Sequence, residues 1–211
     1  KTLAGAMCPS YMATRDESAS TRGRASALRQ ALSNRFGPDG LEDDELLPIL
    51  DLCLECKACK RECPTGVDMA RLKSEFLHQR HKRLGTALGT RLLGRMDRAA
   101  AWGQRLWPLS NWVAHTSAAR FFAERSLGID QRRQLPTFAR QTFIDSWHQP
   151  KTGGEIALFA DTFSNYFEPE HLSAATHLAA RLGTAVELAP RVCCGRPLIS
   201  KGLLDEAAHK A

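Results

Sequence analysis

No stretch of the 211 residues approaches the roughly 18 uninterrupted apolar positions that a bilayer-spanning helix needs. The amino terminus also lacks the charged-then-apolar layout of a secretory signal. There is no phosphate-cradling glycine loop, no nucleophile elbow and no paired-carboxylate pattern above chance, so no residue is put forward as catalytic. No nucleic-acid motif accompanies the net charge of +6. The excess is local, eight Lys or Arg against two acids between Met69 and Ala100, and reads as a solvated basic helix face. The chain begins at Lys1-Thr2 without an initiator Met and ends at Lys210-Ala211 in a helix-like run, so it is expected to be part of a longer protein.

What is present is enough to bury a core, since 43% of residues are hydrophobic. A cytoplasmic setting is expected, with peripheral contact at the inner face of the membrane left open. Four of the seven cysteines crowd into the run Cys53-x-x-Cys56-x-x-Cys59-x-x-x-Cys63-Pro64. That is not the layout of a small disulfide scaffold, and metal is the better reading. A 4Fe–4S cube takes four thiolates on its corners, and this spacing wraps three around one cube and sends the fourth to a neighbouring cube. Zinc prefers two separated ligand pairs, and only His78 and His81 could be recruited to complete one. A zinc-stabilised interaction module is therefore the alternative of another class.

Cys53, Cys56 and Cys59 then need a fourth ligand. The only other cysteine followed by proline is Cys8, which is the natural partner. Cys63 is expected to serve a second cube whose other ligands lie upstream of Lys1. Arg22, Arg24, Lys57, Lys60 and Arg61 are candidate cations around an anionic cluster, although each singly reads as an ordinary surface charge.

Along the chain, Ser20 offers a cap for a helix-forming run from Arg24 to Leu32, ended by Gly37-Pro38-Asp39-Gly40. Acids at Glu42 to Glu45 favour a helix start, and the apolar run from Leu46 leads into Cys53. Asp68 caps the next helix, with Val67 and Leu72 at the positions of a hydrophobic staple. From Leu84 to His148 the composition is helical, with breaks near Pro108, Gly128 and Pro136, and Trp102, Trp107, Trp112 and Trp147 read as packing residues. A linker-like stretch from Pro150 to Gly154 precedes a strand over Ile156 to Ala160, a helix over Pro169 to Leu182 and a second strand over Thr184 to Leu188. This is a βαβ unit, expected to be parallel, and Cys193-Cys194-Gly195 falls at the carboxyl edge where ligands bind. For Cys193 and Cys194 a redox or ligand role and a structural role both stand.

Cys8-Pro9-Ser10-Tyr11, Ser20 to Ala25, Cys53 to Pro64 and Cys193-Cys194-Gly195-Arg196-Pro197-Leu198 resemble the iron–sulfur half of FAD-linked 2-hydroxyacid dehydrogenases, the D-lactate and D-2-hydroxyglutarate dehydrogenase type. The resemblance implies a mainly α chain with an α/β C-terminal part. It divides into a helical two-cluster ferredoxin-like domain over 1–83, a helical connector over 84–150 and the first part of a parallel-sheet CCG domain over 151–211. It implies 4Fe–4S clusters on Cys8, Cys53, Cys56 and Cys59 and on Cys63, and an FAD-linked oxidase part, fused or separate, that passes electrons through this segment to an unknown acceptor. The iron–sulfur subunit of a glycolate oxidase or of an anaerobic glycerol-3-phosphate dehydrogenase is the runner-up. In that family the CCG domains that hold an unusual cluster carry a cysteine after the first strand. Here Asp161-Thr162 stands at that place.

Overall fold

The computed structural model describes residues 8–33, 45–148 and 154–211. The expected break at Gly37 to Gly40, the acids Glu42 to Asp44 and the linker residues Pro150 to Gly153 lie outside them. The chain is mainly helical with a two-stranded parallel sheet, and it divides into two compact units, Lys1–Thr86 with Leu198–His209, and Ala87–Pro197 with Lys210–Ala211.

In the first unit, α1 (Pro9–Thr14) starts on a proline whose fixed φ suits the first helical position. A 3₁₀ turn, Glu17–Ala19, follows. Then comes α2 (Thr21–Leu32), capped as expected by Ser20, whose hydroxyl accepts the Gly23 N–H at 2.9 Å. Gly23 is required there, because a Cβ would lie 2.0 Å from the Glu17 carbonyl oxygen. Next are α3 (Leu46–Asp51), α4 (Ala58–Glu62) and α5 (Met69–Leu84). Asp68 caps α5 by accepting from Arg71 N–H at 3.1 Å, while Leu72 of the expected staple is 43% exposed.

The core gathers Ala27, Leu28 and Ala31 from α2, Leu46 and Leu50 from α3, and Met69 and Phe76 from α5. Burying a side chain such as Leu46 or Phe76 contributes about 2 kcal/mol. Cys53 and Cys59 pack against this cluster, so these two residues of the cysteine run are seated on the core.

The segment 198–209 joins the same unit through α5. His78 Nδ1 and His81 Nε2 face the carbonyl oxygens of Gly202 and Lys201 at 3.2 and 2.9 Å. Gly202 has φ +69°, and a Cβ there would approach Leu77 Cβ at 2.5 Å and His78 N at 2.8 Å. Only glycine combines that conformation with so close an approach.

In the second unit, α6 (Leu88–Gly94), α7 (Met96–Arg105), α8 (Trp107–Ala114), α9 (Ser117–Leu127) and α10 (Phe143–Ser146) follow one another. Pro108 opens α8 and Gly128, with φ +69°, closes α9, which are the breaks expected from the sequence. The strands β1 (Ile156–Leu158) and β2 (Val186–Leu188) pair in parallel, Ile156 opposite Val186 and Leu158 opposite Leu188. Between them lie α11 (Thr162–Tyr166), which the sequence reading did not foresee, and α12 (Pro169–Arg181). Asp161 caps α11 by accepting from the N–H groups of Phe163 and Ser164. After β2 the chain forms α13 (Arg196–Ser200) and then α14 (Leu204–Lys210), whose residues up to His209 belong to the first unit. The packing expected of Trp102 and Trp112 is not seen, since each is 68% exposed; the Arg105 guanidinium lies 5.5 Å from the Trp102 ring centroid.

Candidate metal centre

Four thiols separated by up to 51 positions in sequence, Cys8, Cys53, Cys56 and Cys59, line a single cavity, with Arg24 and Met69 also in its wall. Cys8 is delivered from the residue just before α1, and Cys53 leaves the end of α3 with its N–H bonded to the Leu50 carbonyl at 3.0 Å. The loop from Cys53 to Cys59 curls back because Glu55 and Lys57 adopt left-handed backbone, φ 55° and 59°. Such conformations cost non-glycine residues energy and turn successive N–H groups to one side. The Glu55 N–H accordingly donates to the Cys53 sulfur. Lys57 then opens α4, which carries Cys59.

Cys63 is not among the residues lining this cavity. It ends α4, with its sulfur 3.0 Å from the Thr65 hydroxyl. Cys193 and Cys194 follow β2 in the other unit, Cys194 exposed, with Gly195 at φ +73° directly after them. His78 and His81, the residues a zinc reading would recruit, bond to backbone carbonyls and line a different cavity with Gly202 and Asp205.

Two buried basic side chains hold the cysteine run, Arg24 in the wall of the thiol cavity and Lys73 on the backbone where the run begins. Arg24 is 1% exposed; its guanidinium donates to Cys8 Sγ at 3.3 Å, Ser10 Oγ at 2.9 Å and the Ile49 carbonyl at 2.9 Å. It lies on the same face of α2 as Ala27, Leu28 and Ala31, so the surface-charge reading of Arg24 is corrected. Lys73 was not singled out at all. Its Nζ donates to the carbonyls of Asp51 and Cys53 and faces Glu55 Oε1 at 3.8 Å. In both cases the i, i+3, i+4, i+7 spacing with buried apolar residues was the available signal. Arg22 pairs with Glu17 at 2.8 Å, and Lys60 and Lys57 face Asp68 at 3.4 and 3.9 Å, as exposed charges do.

These contacts tune the thiols unequally. Burial alone would push Cys8 up, but hydrogen bonds from Ser10, the Tyr11 backbone and Arg24, with the Arg24 charge, bring it below its ordinary value. For Cys53 burial prevails over the Glu55 N–H and the nearby cations, and its thiol is pushed up. Cys63 is drawn down, first by Thr65 and then by backbone N–H groups.

The four cysteines that line the cavity match in number and kind the ligands a 4Fe–4S cube takes. A single zinc would draw thiolates to about 3.8 Å from one another, given a Zn–S bond near 2.3 Å in a tetrahedron. The thiols stand around a shared cavity, and among the described residues no three His, Cys, Asp or Glu converge closely enough to hold one metal ion. No helix among the described residues is long and apolar enough to cross a membrane.

Residues 4–67 match the family described as the 4Fe-4S dicluster domain. A D-2-hydroxyglutarate dehydrogenase of Pseudomonas putida is 28% identical over 98% of this chain and 25% of its own length. The protein of that name from Escherichia coli is 22% identical over 97% of this chain and 25% of its own length. A probable glycolate oxidase iron–sulfur subunit of Bacillus subtilis is 31% identical over 64% of this chain and 27% of its own length. The chain thus spans about a quarter of the curated relatives it matches. No solved structure matches. The chain carries a 4Fe-4S domain homologous to D-2-hydroxyglutarate dehydrogenases and to a glycolate oxidase iron–sulfur subunit.

Proposed function

We propose that this chain is the electron-transfer segment of an FAD-dependent D-2-hydroxyacid dehydrogenase, with D-2-hydroxyglutarate or D-lactate as substrate. The observation that carries the reading is the shared cavity of Cys8, Cys53, Cys56 and Cys59. These four hold one 4Fe–4S cluster. Cys63, outside the cavity, is the ligand of a second cluster completed by residues outside this chain. FAD and the substrate site also lie outside it, and electrons released by oxidation of the hydroxy acid leave one at a time through the clusters to a separate acceptor.

In this reading 1–83 is the ferredoxin-like domain, 84–150 the helical connector and 151–211 the beginning of a CCG domain. The protein works in the cytoplasm, where peripheral contact with the inner face of the membrane would bring it to a membrane acceptor. A separate subunit of a glycolate oxidase complex is the second reading, favoured by the Bacillus subtilis relative.

The test uses the full-length protein under anaerobic conditions. D-2-hydroxyglutarate, D-lactate and glycolate are each added while visible absorption is followed. Bleaching of both a flavin and a broad cluster band by one D-2-hydroxy acid supports the proposal. Cluster absorption without a bound flavin favours the separate subunit.

A further inference from the structure

Other cations on or packed against the cysteine run have partners of their own: Lys57 and Lys60 face Asp68, and Lys73 spends its donors on the Asp51 and Cys53 carbonyls beside Glu55. Arg22, the neighbour of Arg24 on α2, is held by Glu17. Arg24 differs from them in one respect. Among the described residues it is the cation with a hydrogen bond to a thiol sulfur, Nη1 to Cys8 Sγ at 3.3 Å.

The rest of its fork is fixed by Ser10 Oγ and the Ile49 carbonyl, both at 2.9 Å, so the guanidinium cannot swing away. None of the three acceptors is a carboxylate. A guanidinium that is 1% exposed without a carboxylate partner is costly, and an anionic four-thiolate cluster would supply a counter-charge beside it.

We infer that Arg24 is the positioning residue for the Cys8 corner of the cluster, and that its buried charge and its hydrogen bond to the Cys8 sulfur raise the cluster's one-electron reduction potential. This rests on the ligand set proposed above. The step is the entry of one electron from an external reductant. No proton needs to move with it, because arginine stays charged at every working pH. Added negative charge on the cluster strengthens both the charge–charge attraction and the N–H donation to sulfur, so the reduced form gains more than the oxidised form. Lys73, whose charge is balanced by Glu55, acts on the loop backbone and is expected to affect the potential less.

The experiment compares the reconstituted chain with its R24Q and R24K variants by redox titration monitored by EPR, with iron content measured on each sample. R24Q is expected to hold iron and to titrate at a lower potential. R24K, which keeps the charge and loses the fork, is expected to lie between R24Q and the parent. In addition, the parent chain labelled with ¹⁵N in its arginine guanidinium groups should show a weak nitrogen coupling in pulsed EPR of the reduced cluster, absent from R24K. Equal potentials in all three overturn the inference while leaving the ligand set standing; absence of a 4Fe–4S signal from the parent chain overturns the ligand set itself. If R24Q does not fold, the nitrogen coupling decides alone, and its absence from the parent overturns the inference.

Discussion

Lys73 Nζ lies 2.9 Å from the carbonyl oxygen of Cys53, so that α5 closes the loop in which the cysteine run begins. The same ammonium takes the Asp51 carbonyl at 3.0 Å, and its side chain is only 10% exposed. Replacing it by Met keeps the length of the stem but orphans two carbonyls. K73M is expected to lower the stability of the metal-free chain by about 2 kcal/mol, the scale of a charge-assisted hydrogen bond. Chemical denaturation would check this, and an unchanged midpoint would contradict it.

Cys8 and Cys53 should differ in reactivity. The first is held below its ordinary value because Ser10, Tyr11 N–H and Arg24 outweigh burial, and the second is raised by burial. The thiolate is the species that reacts, so in the metal-free chain labelling of Cys8 by iodoacetamide should reach half its maximal rate at lower pH than labelling of Cys53. Peptide mass spectrometry across a pH series reads both at once. The reverse order would contradict the geometry around Arg24.

Asp68 combines two roles that can be separated. It accepts from Arg71 N–H as the cap of α5, and it faces Lys60 and Lys57. Burial would push its carboxyl up, but Arg71 N–H and the two lysines outweigh it and hold the carboxyl low. A depressed folded value means the stabilisation is present above the ordinary carboxylate value and is lost as pH falls through the folded one. D68A is expected to cost about 1 kcal/mol at neutral pH. D68N, which keeps a capping side chain, should cost less, and its deficit should vanish on acidification. A deficit that grows below pH 4 would contradict the assignment.

Gly202 fixes the segment over 198–209 against α5. Its φ of +69° and the 2.5 Å approach to Leu77 Cβ leave no room for a side chain. G202A should lose about 1–3 kcal/mol, as overpacked sites do. Thermal unfolding would show it, and an unchanged transition would mean that the close approach does not exist in solution.

The cysteine run and the caps at Ser20 and Asp68 were legible because each depends on residues a few positions apart, and the parallel strand pair because a strand, helix, strand succession implies it. Other tertiary pairings were not. That the segment around Gly202 packs on α5 depends on carbonyls of Lys201 and Gly202 meeting His81 and His78 across more than a hundred residues, with nothing local to announce it. Arg24 was read as a surface charge because arginine usually is one. Its place on the apolar face of α2 contradicted that prior, and Ser10, Cys8 and Ile49 supply the acceptors that make burial tolerable. The exposed rings of Trp102 and Trp112 are the reverse case, in which apolar composition alone suggested packing that the second unit does not provide.

The most direct measurement of the proposed ligand set is iron content with single cysteine replacements after anaerobic reconstitution of the 211-residue chain. One complete set of thiolates predicts about four Fe per chain and a broad brown absorption band. Cys56→Ser should remove most of it, while Cys63→Ser and the double replacement Cys193→Ala with Cys194→Ala should leave it largely intact. Equal losses from Cys56→Ser and Cys63→Ser, a content near eight Fe, or a colourless chain carrying zinc would contradict a single 4Fe–4S cluster held by Cys8, Cys53, Cys56 and Cys59.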